Sequence, residues 1–326
     1  GRDFAGNWQE TPTISLPWTV LAADVQVRIN EISAATRAVA GSGDWVELYN
    51  PGAAAVSLFG YQLSDDVNNL GKYVFREDAI IPAGGHFVVT SRGPGGLGFG
   101  LRSEGETVYL ATPDREIIDS VQFGMQLDGY SIGRIGTEST WQLLEPSPGS
   151  DNQHLARLGD SSRVVINEWL AESRTEDDFV ELYNPDTRPV AIGGHYLSDT
   201  GDGAPDRHQI TPLSFIAGRS FQAMVADGDV NAGADHLGFR LSLHQETLRL
   251  SDPNLEEIDT VVYLPQQVAV SQGRIPDGGS SVMSFATPTP GWLNGAGVKG
   301  DFTGDGTVDG DDIDQLCVHL NAGSFG

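Results

Sequence analysis

Asp44-Trp45-Val46-Glu47-Leu48-Tyr49-Asn50-Pro51 returns later in the chain as Asp178-Phe179-Val180-Glu181-Leu182-Tyr183-Asn184-Pro185. Each copy is a run of β-branched, aromatic and alternating residues that stops at an Asn-Pro pair, the signature of a strand running into a turn. The match extends in both directions with order kept. Upstream, Ile29-Asn30-Glu31 corresponds to Ile166-Asn167-Glu168. Downstream, Leu63-Ser64-Asp65 corresponds to Leu197-Ser198-Asp199, and Glu106-Thr107-Val108-Tyr109-Leu110 to Glu246-Thr247-Leu248-Arg249-Leu250. Ser131-Ile132-Gly133-Arg134-Ile135 and Pro146-Ser147-Pro148-Gly149 have their partners in Ser271-Gln272-Gly273-Arg274-Ile275 and Pro288-Thr289-Pro290-Gly291. The spacing of about 134 to 142 residues is a whole domain, because solenoid units repeat every ~20 to 50 residues.

The spacing predicts two copies of one domain over 25–152 and 164–294, joined by a polar linker over 153–163. Residues 1–24 read as the tail of a preceding domain or a linker, 295–300 as a second linker, and 301–326 as a separate segment. Within a copy the apolar period is two: Val108 and Leu110 face one way, Thr107 and Tyr109 the other, and Leu248 and Leu250 keep the inward positions apolar while Arg249 takes an outward one. Strands are expected over 27–32, 45–49, 55–58, 61–64, 73–75, 86–90, 107–110, 117–123 and 131–135. Helical periodicity is absent from both copies. Many short strands punctuated by Asn-Pro, Pro-Ala-Gly-Gly and Ser-Pro-Gly turns predict an all-β chain of two tandem immunoglobulin-like β-sandwiches.

Composition agrees. The chain has 326 residues, too many for one ordinary core, with 41 glycines and 17 prolines in no collagen-like period. Its 45 acidic against 19 basic residues give a net charge of −26, a field that repels phosphate backbones, so nucleic acid is not an expected partner. The single cysteine, Cys317, excludes an intrachain disulfide. No apolar run is long enough for a transmembrane segment, and the start at Gly1 reads as an excised piece of a longer protein.

The shared motifs resemble the lamin tail domain, the immunoglobulin-like module of nuclear lamins that also occurs in bacterial exported proteins. The resemblance rests on Ile-Asn-Glu, Trp/Phe-Val-Glu-Leu-Tyr-Asn-Pro, Leu-Ser-Asp, Ile-Pro-Ala-Gly-Gly and Glu-Thr-Val-Tyr-Leu. It implies a binding or tethering module without a catalytic role.

The recurring polar residues are Asn30/Asn167, Glu31/Glu168, Glu47/Glu181, Asn50/Asn184, Asp65/Asp199, Asp119/Asp259 and Arg134/Arg274. Two carboxylates near an arginine suit acid–base work only with a pocket and tuned proton affinities. The structural reading has Asn50 and Asn184 bonding their own turns and each arginine compensating semi-buried charge by pairing with an acidic residue of its own module, drawn from Glu31, Glu47 or Asp119 and their second-copy counterparts. Neither a nucleophile elbow nor a zinc or phosphate-loop motif occurs, and the seven histidines are scattered. No enzyme is expected.

Two segments have the oxygen spacing of calcium loops. In 301–312, Asp301, Thr303, Asp305, Asp309 and Asp312 stand at positions 1, 3, 5, 9 and 12, Gly306 at the sharp turn, and Thr307 offers its carbonyl. Ile313, Leu316, Cys317 and Leu320 follow with helical spacing. This segment resembles the first half of a type I dockerin, an EF-hand-like module that docks on cohesin domains. Thr303 departs from the usual Asp or Asn, and no second loop follows. A weaker candidate is Asp227, Asp229, Asn231 and Asp235, where Ala232 takes the glycine position.

The sequence therefore points to a non-catalytic, secreted or cell-surface bacterial segment whose sandwiches act as spacer or adhesion domains. Calcium-dependent dockerin-like attachment would join it to a protein such as a cohesin-like domain, or to a surface polysaccharide. The alternative is a carbohydrate-binding accessory pair of a larger extracellular enzyme.

Overall fold

The computed structural model describes residues 27–34, 43–136, 140–173 and 177–295, together with Gly310 and Ile313. The expected tail over 1–24 and nearly all of 301–326 lie outside the described residues. Gly310 and Ile313 are exposed and in helical conformation.

The first module has eleven strands: β1 (Arg28–Ser33), β2 (Trp45–Tyr49), β3 (Val56–Ser57), β4 (Gln62–Ser64), β5 (Tyr73–Val74), β6 (Ile80–Ile81), β7 (His86–Thr90), β8 (Glu106–Ala111), β9 (Ile117–Phe123), β10 (Ser131–Ile135) and β11 (Thr140–Leu144). The second repeats them as β12 (Val165–Leu170), β13 (Phe179–Tyr183), β14 (Val190–Ala191), β15 (Tyr196–Ser198), β16 (His208–Gln209), β17 (Phe215–Ile216), β18 (Phe221–Val225), β19 (Glu246–Ser251), β20 (Glu257–Tyr263), β21 (Ser271–Ile275) and β22 (Ser281–Phe285).

In the first module a five-stranded antiparallel sheet, β11-β10-β1-β2-β7, accompanies a four-stranded sheet, β5-β4-β8-β9, and a small β3-β6 ribbon. The second has the matching orders β18-β13-β12-β21-β22, β16-β15-β19-β20 and β14-β17. Both modules are thus all-β with an immunoglobulin-like layering. Because side chains alternate along a strand, one face of each sheet meets the other: Ile29, Val46, Leu48, Leu63, Val108, Leu110 and Phe123 form one core, and Ile166, Val180, Leu182, Leu197, Leu248, Leu250 and Tyr263 the other. Val108 and Leu110 face inward and Thr107 and Tyr109 outward, as do Leu248 and Leu250 against Arg249. Trp45 and Phe179 are both buried, so the aromatic exchange between copies preserves one core position.

Strands β6 and β11 are absent from the sequence expectation. Two residues before Pro82 are too few to show alternation. In β11 both Leu143 and Leu144 are buried, the latter bridged to Leu155, which erases the period-two signal. The pairing of β10 with β1 and of β21 with β12 places the Ser-x-Gly-Arg strands in the same sheets as the Ile-Asn-Glu strands.

The two modules are docked. The Gly124 N–H donates to Pro212 O at 3.0 Å, the Phe215 N–H donates to Met125 O at 3.0 Å, and Gln126 Nε2 donates to Leu213 O at 2.7 Å. Side chains cross as well. Met125 joins the second module's core, and Phe215 joins the first module's. Gly124 is needed at the contact, since a Cβ there would sit 1.9 Å from Ser214 Oγ.

Candidate functional site

The recurring polar residues converge at one end of each sandwich, starting from a bulge. Between β1 and β2 the register advances from Ile29 opposite Leu48 to Glu31 opposite Glu47, so Asn30 is the extra residue. A bulge frees backbone groups that must find partners when buried. Asp119 Oδ2 accepts from the Ile29 N–H at 2.8 Å, and Arg134 Nε donates to Ile29 O at 2.9 Å. Arg134 Nη2 also reaches Asp119 Oδ1 and Oδ2 at 2.9 and 3.1 Å, and its guanidinium lies 4.9 Å from the Trp141 ring centroid. The Asn30 and Arg134 carbonyls both accept from Asn152 Nδ2, at 3.1 and 3.0 Å. Gly133 makes room for that amide, because a Cβ would come within 2.5 Å of it.

The glutamates lie deeper, fully buried. Glu31 accepts from Ser131 Oγ at 2.5 Å and from the N–H and Oγ of Ser147 at 3.0 Å each. Glu47 accepts from Asn30 Nδ2 at 2.8 Å and from the Gly149 N–H at 2.6 Å. Burial raises the pKa of Glu31 above the usual carboxylate range and, despite these donors, that of Glu47 to about 7.

The second module repeats the arrangement. Ile166 N–H donates to Asp259, Arg274 Nε donates to Ile166 O, and Arg274 Nη2 donates to both Asp259 oxygens at 2.9 Å. Thr289 takes the place of Ser147 on Glu168, the Gly291 N–H donates to Glu181 at 2.5 Å, and Asn294 bonds the carbonyls of Asn167 and Arg274. Burial raises Glu168 and holds Glu181 well above the usual range.

Each arginine pairs with an acidic residue of its own module, as expected, and of the three candidates it is the aspartate and not a glutamate. Arg134 and Arg274 pair with Asp119 and Asp259, whereas the glutamates accept from hydroxyls, an asparagine amide and backbone N–H groups. The reason is position: the arginine is committed to the bulged strand's backbone. The modules differ at the rim. Asp277 accepts from Asn167 Nδ2 at 2.8 Å, and burial raises it to about 6. In the first module His86 Nε2 instead lies 3.8 Å from Glu47 and 3.7 Å from Asp151, with burial lowering its pKa.

Asn50 Oδ1 accepts from the Gly52 N–H while its Nδ2 donates to the carbonyls of Ala54 and Pro82; Asn184 does the same with Asp186, Arg188 and Ala217. Asp65 pairs with Lys72 at 2.6 Å and Asp199 with Arg207 at 2.9 Å. Each oxygen of Glu31 and Glu47 is engaged within its own module, so the cluster fastens the sandwich end.

Among the calcium candidates, Asp227 Oδ1 accepts from the Asp229 N–H and its Oδ2 lies 2.9 Å from His236 Nδ1, while Asp229 Oδ1 accepts from the Asn231 N–H. Asp235 lies 4.0 Å from His236 Nε2. Among the described residues no group of three or more His, Cys, Asp or Glu side chains stands together in a metal-holding arrangement. Asp301, Thr303, Asp305, Thr307, Asp309 and Asp312 lie outside the described residues, and no described helix is long and apolar enough to cross a membrane.

The residues missed at the level of sequence are the donors Ser131, Ser147 and Asn152 with their counterparts Ser271, Thr289 and Asn294. Their signal was present in the repeated Ser-x-Gly-Arg and Ser/Thr-Pro-Gly motifs. Asp277 has no such repeat and gave none.

No curated protein and no solved structure matches the chain. The lamin tail domain family model matches residues 21–125 and 159–265, together more than half of the 326. Both matches stop before β10 and β21, which the sheets nonetheless include. With two matched copies, each built on the bulge and clamp described above, this chain belongs to the lamin tail domain family.

Proposed function

We propose that the chain is a non-catalytic tethering segment of a secreted or cell-surface protein, its paired lamin tail modules serving as a fixed spacer and 301–326 as a calcium-dependent, dockerin-like attachment. One observation supports the spacer role above others: the polar residues that recur in both modules are engaged by groups of their own module, and the modules are joined by backbone hydrogen bonds through Gly124 and Phe215. A partner such as a cohesin-like domain or a surface polysaccharide would engage the attachment segment or the outer faces.

Calorimetric titration of the full chain with calcium chloride tests the attachment half. Binding heat is expected for the natural sequence and its loss in an Asp305→Ala, Asp309→Ala double variant, because a calcium loop needs its carboxylates at positions 5 and 9. Equal heats from both proteins would overturn the assignment to 301–312. Paired fluorescent labels, one on each module, test the spacer half: a single narrow distance distribution is expected, and a broad one would overturn it.

A further inference from the structure

The junction between the modules is heterologous: one module uses the segment after its ninth strand, and the other uses the turn before its sixth. Because both modules are built alike, each carries both surfaces, and among the described residues one of each remains uncovered. Backbone bonding fixes the correspondence. Leu58 N bonds Ala79 O as Ile192 N bonds Ser214 O, and Gln126 N bonds Ser103 O as Gln266 N bonds Leu243 O. Phe215 therefore corresponds to Ile80, Ser214 to Ala79, Gly124 to Leu264 and Met125 to Pro265.

At the junction these positions are covered: Met125 is 2% and Phe215 3% exposed. At the free ends their counterparts are apolar and open. Ile80, the counterpart of Phe215, is 53% exposed, and Leu264, the counterpart of the buried Gly124, is 65% exposed. A groove of about 290 Å³ opens on the first module along the residues that correspond to the docking turn, lined by Tyr73, Arg76, Asp78, Ala79, Phe87 and Thr90 among others. The closest steric conflict is relieved: a Cβ at Gly124 would sit 1.9 Å from the Ser214 hydroxyl and 3.2 Å from the Cβ atoms of Ser214 and Thr211; where Leu264 replaces the glycine, Ala79 has replaced the serine and the hydroxyl is gone, while Ala79 and Arg76 keep the two Cβ contacts, to which Leu264 must adjust. Pro265 forfeits no bond, since the junction uses the Met125 carbonyl.

We propose that the head-to-tail docking continues between chains: the Leu264–Pro265 segment of one copy seats on the 76–80 turn and groove of a second copy. Leu264 N–H would donate to Glu77 O and Ile80 N–H to Pro265 O, as at the intrachain junction. A heterologous contact of this kind does not stop at two copies unless it closes into a ring. The net charge of −26 opposes it at low ionic strength.

Sedimentation velocity of the full chain, from about 10 μM to about 1 mM, tests this in about 0.5 M salt, where the screening length is about 4 Å. A calcium chelator keeps association through 301–326 from supplying the signal, so failure here is distinct from failure of the tethering reading. The expected result is mass that grows with concentration past the dimer. Ile80→Asp and Leu264→Asp, both at exposed positions where folding is retained, should each raise the self-association Kd at least about tenfold. Mixed one to one, they should form a dimer and nothing larger, because each variant keeps the surface the other lacks. A natural chain that stays monomeric throughout, growth that ends at a dimer, or variants that associate as before would each overturn the proposal.

Discussion

The Arg134 guanidinium and the Asp119 carboxylate, 2.9 Å apart, between them take up both the N–H and the C=O of Ile29 at the bulge in β1. The pair is half-buried, and Arg274 with Asp259 repeats it on Ile166. Its role is to satisfy the backbone that the bulge releases, which is why a charge pair and a bulge recur together.

Arg134→Ala should therefore lower the unfolding free energy by about 2 to 4 kcal/mol, since it strands Asp119 and a buried carbonyl at once. Arg134→Lys should recover little, because one ammonium cannot serve the Ile29 carbonyl and both carboxylate oxygens. Urea denaturation reads both, and an alanine variant as stable as the natural chain would remove the clamp from the account.

Burial holds Glu47 at a pKa of about 7, against 4.5 for the free side chain. Between these values the folded chain holds a proton that the unfolded chain has released. Stability should thus fall as pH rises from about 4.5 to about 7 and level off above, by about 3 kcal/mol for this group. Glu47→Gln should flatten that slope by about one proton. Denaturation midpoints that rise or stay level across the window would contradict the assignment.

Gly124 lies against Ser214, and the junction depends on that closeness. Gly124→Ala should speed hydrogen exchange at the Phe215 amide, which donates to Met125 O, by at least about tenfold while each core stays protected. Adding Ser214→Ala should restore part of the protection by removing the clashing hydroxyl. Unchanged exchange at Phe215 in the single variant would mean that the modules do not dock through this contact.

Trp45 and Phe179 occupy one core position in two copies. Trp45→Ala or Phe179→Ala should cost about 3 to 5 kcal/mol, whereas Trp45→Phe, the exchange already present between the copies, should cost less than about 1.5 kcal/mol. Thermal unfolding of the three variants checks the ranking, and an alanine variant with an unchanged Tm would put the strand facing in error.

The sequence by itself determined the repeat, the sheet class and the facing of the longer strands. Alternation along a strand is a local property, and Val108, Leu110, Leu248 and Leu250 display it whatever they pack against. It also singled out Asn30, Glu31, Glu47 and Arg134 as belonging together, through recurrence. Only the tertiary structure decided who bonds whom. Ser131 and Ser147 reach Glu31 from 100 and 116 residues away, and Gly124 meets Ser214 across the module boundary. Hydrogen-bond partners and close approaches follow from distance in space, which no local periodicity encodes. The same holds for Ile80 and Leu264, whose outward facing no local pattern announces: an apolar residue is as compatible with the core as with the surface until the fold places it.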